Sequence, residues 1–290
     1  MIDSGSTDQT IAIARQFPAR LIEIPPESFN HGETRNLGLK LSDPETEFIV
    51  FLSQDATPYG RDWLSHLIAP FAEDERVAGV FSRHIPRSRA SIATVRQLVE
   101  GTQTGGELRL VKQMPDSLAE YRDNLTYYIW FSNTSSAVRR RVFEKHPFKK
   151  VDFAEDAVWA DEILRAGYKI VYEPSSIVIH SHNYSLIEQF RQNVDHQHAM
   201  YELFRLKNLR NLRSWVKQYL GIPLQTWRDY KFAIDSPYFK RLGFGRRMLM
   251  VFYSPFWYLA TISGGLVGSY LDRLPTGKIL SLSRQERLKR

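Results

Sequence analysis

The chain has 290 residues, 43% hydrophobic and 24% charged, a balance ordinary for a globular protein with ample material for a buried core. It contains no cysteine, which excludes disulfides and thiolate metal sites and leaves carboxylates, imidazoles and substrate oxygens to hold any metal. A net charge of +7 suits nucleic acid, an anionic membrane surface or a phosphorylated small molecule. The placement of the bases argues against nucleic acid: Arg241, Arg246, Arg247, Arg273, Lys278, Arg284, Arg287, Lys289 and Arg290 form a basic tail beside an uncharged run instead of interleaving with aromatics.

The first residues, MIDSGS, read as a strand end running into a turn. Ser6, Thr7 and Asp8 can cap a helix over residues 9–17, and residues 20–24 read as a strand stopped by Pro25 and Pro26. A helix over 34–41 and a fully buried strand over 47–52 follow, then a helix over 63–71 and a strand over 77–81. Such strand and helix alternation predicts an α/β sheet covered by helices on both faces. Residues 90–121 have weak periodicity and read as an insertion or loop. Order returns at 127–140 and in a helix over 155–166 closed by Gly167, a C′ glycine. Short strands at 169–173 and 177–180 and a long helix over 186–212 complete the first domain, predicted as residues 1–212.

Residues 213–290 are predicted as a helical basic and apolar extension. No residue from 248 to 271 is charged, a run long enough to span a bilayer, but it contains Pro255, Gly264, Gly265 and Gly268. An interfacial anchor on an anionic leaflet, a membrane span and a core helix all remain open, and the flanking Arg246, Arg247 and Arg273 favour the first.

Four clusters carry candidate chemistry. Asp55, just past a buried strand, sits where open α/β sheets bind ligands and can hold Mg²⁺ or Mn²⁺, although Asp before Thr57 and Pro58 is also ordinary turn chemistry. Glu155 and Asp156 open a helix; they can simply complement its dipole, or one of them can deprotonate a hydroxyl. His180 and His182 follow a strand, and alternation there points their rings to opposite faces, so that only one can reach a metal. His196 and His198 share that spacing and read as solvated. Arg35, in the first turns of a helix, can hold phosphate oxygens or be a surface base.

Their order resembles the family 2 glycosyltransferases of GT-A fold, and more closely a bacterial rhamnosyltransferase-like branch. The resemblance rests on IDSGSTDQT (2–10), FNHGETRNLG (29–38), FLSQDATP (51–58), FSNTSSAVRR (131–140), FAEDAVWADEILRAGYKIVYEP (153–174) and IHSHNYS (179–185). It implies a Rossmann-like mixed sheet and a nucleotide-sugar donor whose base and ribose meet Asp3 and Ser4. It implies that Ser53, Gln54 and Asp55 stand where the family carries its metal motif, with only the second acid present. It further implies Asp156 as general base, Glu155 as its or the acceptor's orienter, Arg35 offsetting diphosphate charge, and His180, before His182, on the metal side. A serine at position 53 suits a dTDP-sugar. The acceptor implied is a saccharide or lipid-linked saccharide, and the location the inner face of the cell membrane, reached through 241–290 from the cytoplasm. Two departures stand out: the family begins with a further strand, loop and helix ahead of the position of Met1, and residues 81–86 (FSRHIP) differ from the usual Gly-Arg-Gln pattern. An inactive membrane scaffold and a nucleotidyltransferase are the competing readings; the acid pair ahead of a long helix argues against the latter.

Overall fold

In the computed structural model, which describes residues 1–101, 103–206 and 212–271, the chain runs in order through twenty α-helices and β-strands among those residues, with three short 3-10 helices between them. The first part comprises β1 (Ile2–Asp3), α1 (Thr10–Ala14), β2 (Ile22–Glu23), α2 (His31–Leu41), β3 (Phe48–Leu52), β4 (Thr57–Pro58), α3 (Trp63–Ile68) and β5 (Val77–Ile85). The middle comprises α4 (Ile92–Glu100), β6 (Leu110–Lys112), α5 (Leu118–Asp123), α6 (Leu125–Tyr128), β7 (Ser135–Arg139), α7 (Arg140–Phe143), α8 (Glu155–Arg165) and β8 (Lys169–Ile179). Four helices end the described chain: α9 (Leu186–Phe204), α10 (Leu212–Leu220), α11 (Ile222–Asp235) and α12 (Phe244–Gly268). Contacts group these into two units that interleave along the sequence. Unit 1 holds Met1–Ser53, Leu64–Phe81 and Leu110–Glu173; unit 2 holds Gln54–Trp63, Ser82–Arg109 and the chain from Pro174 onward.

In unit 1 the strand order is β3-β7-β5-β8, with β6 also on β8, and β7 runs antiparallel to both β3 and β5. β1 and β2 form a separate parallel pair. β3 was expected to be fully buried, yet only Ile49 and Phe51 are, in alternation. Its far edge lies along a cavity of about 500 Å³ whose lining includes Met1, Ile2, Gly38 and Ser53, so one face of the strand is only partly covered. The core beside it is aromatic. Phe51 packs on Phe143 and Phe148, and Trp159 meets Phe131, Phe143 and Phe148 while its indole N–H donates to the His146 carbonyl. Burying each such ring contributes about 2–3 kcal/mol, so α8 is fixed to the sheet by Trp159.

Local chemistry explains most element boundaries. Asn30 caps α2 three residues earlier than the hydrophobic pattern suggested, its side-chain oxygen accepting from the Gly32 and Glu33 amides. α1 is shorter than residues 9–17 and lacks a side-chain cap; Asp8 accepts from Thr10 instead. α8 ends at Gly167, whose φ of +86° requires glycine, as the sequence implied. The two short strands over 169–180 are one strand, β8, and residues 90–121 are not a loop. Ser91 caps α4, which buries Ile92, Ala93 and Val95.

Unit 2 is built mainly on α9 and α12. A capping box of Ser185 and Glu188 starts α9. Gly264 and Gly268, one helical turn apart, face the Phe190 and Val194 carbonyls so closely that a Cβ at either would collide with α9 backbone. α9 stops at Phe204, eight residues before the predicted end, with Arg205 left-handed as its C-cap and residues 207–211 outside the described residues. α12 is long and apolar enough to cross a membrane by length and composition, and 28% of its most apolar stretch is buried. The basic residues Arg273, Lys278, Arg284, Arg287, Lys289 and Arg290 lie outside the described residues. His196 and His198 are half-buried, not solvated, because α9 turns that face inward.

Candidate active site

In unit 1 the acid pair sits at the start of α8, immediately after Ala154, which holds a left-handed backbone (φ +61°). A non-glycine residue there costs on the order of 1–2 kcal/mol, strain of the kind stored where side chains are being aimed. The two acids do different things. Glu155 is buried and committed: its Oε1 accepts from Arg35 Nη1 at 2.6 Å and from Asn133 Nδ2 at 3.2 Å. Asp156 has no cation partner among the described residues; its Oδ1 accepts the Ala157 amide at 2.9 Å. Burial, and then the neighbouring Glu155 charge, push the Asp156 carboxyl up to about 7. A carboxyl poised near neutral pH suits a general base.

Arg35, expected as a phosphate clamp or a surface base, spends its Nη1 on Glu155 and on the His31 carbonyl. Asn133 was not singled out from the sequence; buried to 3% exposure, it also accepts from Ser136 and so cannot turn away from Glu155. His31, the first residue of α2, lies near the same charges, and burial pushes its imidazole down. Both residues fell within motifs quoted above, FNHGETRNLG and FSNTSSAVRR, but nothing local marked them.

Asp3 is buried and organises its own loop: Oδ2 accepts the Gly5 and Ser6 amides, both at 2.9 Å, and Oδ1 accepts the Ser6 hydroxyl at 2.5 Å. These bonds hold its carboxyl below the usual range. Gly5 needs its φ of +91° for this turn, and Pro26 closes over it. Ser4 is half-buried beside the loop. Ser53 at the end of β3 donates its amide to the Thr134 carbonyl at 2.9 Å.

In unit 2, Gln54 and Asp55 begin the turn into β4, and β4 pairs with the end of β8. Asp55, His180 and His182 each place one ligand atom within 4.8 Å of the others. His180 Nε2 lies 3.3 Å and His182 Nδ1 3.7 Å from Asp55 Oδ2. The expectation that the two rings face opposite ways fails for a simple reason: β8 ends at Ile179, so strand alternation no longer applies to either histidine. The His180 hydrogen bond, with the charges of both rings, holds Asp55 down at about 2, so it is ionised and available to a cation. Arg87 donates to the Asp55 carbonyl and fixes the turn. A third imidazole, His84, stands edge-on to His180 at a centroid distance of 5.1 Å; burial holds it near 3, neutral, with Nε2 unpaired among the described residues. Its position within FSRHIP was noted only as a departure. One carboxylate and two imidazoles converging on a half-exposed point fit a divalent cation.

Residues 1–146 match the model of glycosyl transferase family 2. The chain belongs to that family. Two family relatives are the O-antigen chain rhamnosyltransferase WbaN of Salmonella anatum, 36% identical over 200 residues, and RfbN of Salmonella typhimurium, 32% identical over 199. Each alignment covers 67% of this chain and 60% of the relative, so the chain spans less than two thirds of those proteins. Among solved structures, the mannosyltransferase PcManGT from Pyrobaculum calidifontis, in complex with GDP-Man and Mn²⁺, superposes with a TM-score of 0.54 at 17% identity, over 93% of this chain and 76% of that one. The family fold expected from the motifs, a mixed sheet with helices, is therefore the fold observed.

Proposed function

We propose that the chain performs inverting transfer of a sugar, rhamnose from a dTDP-sugar, onto a lipid-linked or surface-polysaccharide acceptor. One observation carries this reading: of two adjacent acids, Glu155 is paired with Arg35 and held by Asn133, while Asp156 has no cation partner among the described residues and its carboxyl is pushed up to about 7. Asp156 takes the proton of the acceptor hydroxyl as that oxygen bonds the anomeric carbon and the carbon–oxygen bond to the diphosphate breaks. Arg35 and Glu155 keep the base aligned. Asp3 and Ser4, with Ser53 and Gln54, serve the nucleotide. Asp55 and His180, joined by His182, would hold a divalent cation, and their nitrogen-rich set favours Mn²⁺ over Mg²⁺. Bound there, the cation supplies charge to stabilise the leaving diphosphate. The rhamnosyltransferase relatives support the choice of sugar.

Residues 1–212 form the catalytic part in this reading and 213–290 an extension resting on the inner face of the cell membrane. Exposed Leu249, Phe252, Phe256 and Leu259 of α12, with Arg246 at its start, support that location.

Donor turnover with added Mn²⁺ is the test. Chelation is expected to abolish it and Mn²⁺ to restore it, and Asp55→Ala to lower it by about 100-fold or more. Full turnover in chelator would sink the cation assignment. In direct competition a dTDP-sugar is expected to be used at least about tenfold better than its UDP counterpart, because Ser53 replaces an acid that would reward a ribose hydroxyl. A clear UDP preference would reverse the donor assignment.

A further inference from the structure

Unit 2 contains a cavity of about 580 Å³ that adjoins the candidate cation site through His182 and opens onto the exposed face of α12. One wall is α12, contributing Leu249, Phe252 and Trp257 from a single helical stripe. The facing wall is polar, with Arg89 and Thr94 from the entry and first turn of α4, and His182 from the segment after β8. Arg89 is exposed and has no ion-pair partner among the described residues. His182 belongs also to the Asp55 cluster, so a molecule filling the cavity has one end at the candidate cation site.

The chemistry of the two walls selects an amphiphile. An uncompensated guanidinium calls for an anion, and a phosphate suits its fork. The apolar stripe does not stop at the cavity: Leu249 and Phe252 are 68% and 69% exposed, and Phe256 and Leu259 continue the row outward along α12. From Leu249 to Leu259 the helix rises about 15 Å, a track suited to an aliphatic chain and far longer than one sugar ring needs. A saccharide alone would leave that track in water, where exposed apolar rows of this kind mark an interaction surface.

We propose that this cavity is the carrier subsite of the acceptor, taking the phosphate-proximal end of a lipid phosphate. Arg89 holds the phosphate, the α12 stripe holds the first part of the aliphatic chain, and the saccharide end lies toward His182. The proposal rests on the reading of the acceptor as lipid-linked, and adds to it a place and a set of recognising residues.

Geranyl diphosphate, with inorganic diphosphate as its lipid-free control, tests the assignment by calorimetric titration of the full chain in chelator, so that no cation at Asp55 captures the probe. Geranyl diphosphate is expected to bind at least about tenfold more tightly than the control. Phe252→Ser should remove that advantage, Phe252→Leu should restore it, and Arg89→Ala should weaken both probes. Both positions are exposed, so the variants should fold, which thermal melting verifies. Equal binding of the two probes, or parent-like binding of geranyl diphosphate by both Phe252→Ser and Arg89→Ala, would overturn the proposal. Donor turnover is read separately. Loss of turnover with intact, variant-sensitive probe binding counts against the transfer reaction and supports the cavity. Turnover onto a lipid-free saccharide without probe binding counts against the cavity alone.

Discussion

Replacing Asp156 by asparagine is expected to lower sugar transfer by about 10²–10⁴-fold, the range for loss of a positioned base, while making the folded chain more stable above neutral pH. Both effects follow from one cause. Burial and the Glu155 charge raise the Asp156 carboxyl from its ordinary 3.8 to about 7 in the folded state. Between those values the unfolded chain has released a proton that the folded chain still binds, so stability falls as pH rises through that window, and the full penalty is present above about 7. Asparagine carries no charge and escapes it, a gain on the order of 1–4 kcal/mol at pH 8 and none at pH 3. The parent enzyme should show transfer rising with pH through about 7, as the carboxylate form appears. Thermal melts of the two proteins at acid and alkaline pH, beside initial rates, check the pair of effects. A variant that transfers sugar at the parent rate removes Asp156 from the mechanism; one that melts identically at both pH values removes the strained carboxyl from the account.

The second large effect belongs to unit 2. Asp229 is fully buried on α11 and accepts from Arg96 of α4 at 2.5 Å and from the Tyr258 hydroxyl of α12 at 3.0 Å. Arg96 also donates to Gln225 and to Tyr258, both at 2.8 Å. Asp229→Ala removes the fully buried partner of Arg96 and leaves it only the exposed Glu100, at 3.0 Å, as counter-charge, so the variant should cost about 3 kcal/mol. Replacing both ions by apolar residues of similar volume, Arg96→Met with Asp229→Leu, should be close to neutral, since the desolvation penalty disappears with the pair. Denaturant midpoints of the single and double variants decide the matter. A single variant as stable as the parent would mean that the network is solvated.

Much of the fold was legible locally. Strand and helix alternation, the caps and the left-handed glycine at 167 come from short-range chemistry, and the ordered motifs pointed to the family. The misreadings also have local causes. α4 carries only nine residues, too few for its period to stand out, and its buried face is defined by what packs on it. The histidines after β8 were read as if still in a strand, whereas alternation holds only while the ladder continues to Ile179.

The sequence by itself supplied the candidate groups: an acid pair at a helix start, an acid and imidazoles after strands, and no thiol. Tertiary structure alone decided which partners each of them meets. Arg35 is 120 residues from Glu155, and Arg96 is 133 from Asp229. Glu155 and Asp156 are neighbours in the chain and differ in what folding puts around them: Glu155 pairs with Arg35, while Asp156 is desolvated beside the Glu155 charge. Likewise only packing against α9 decided which face of α12 is buried and which is exposed. Charge, desolvation and exposure depend on partners that the chain brings together only by folding.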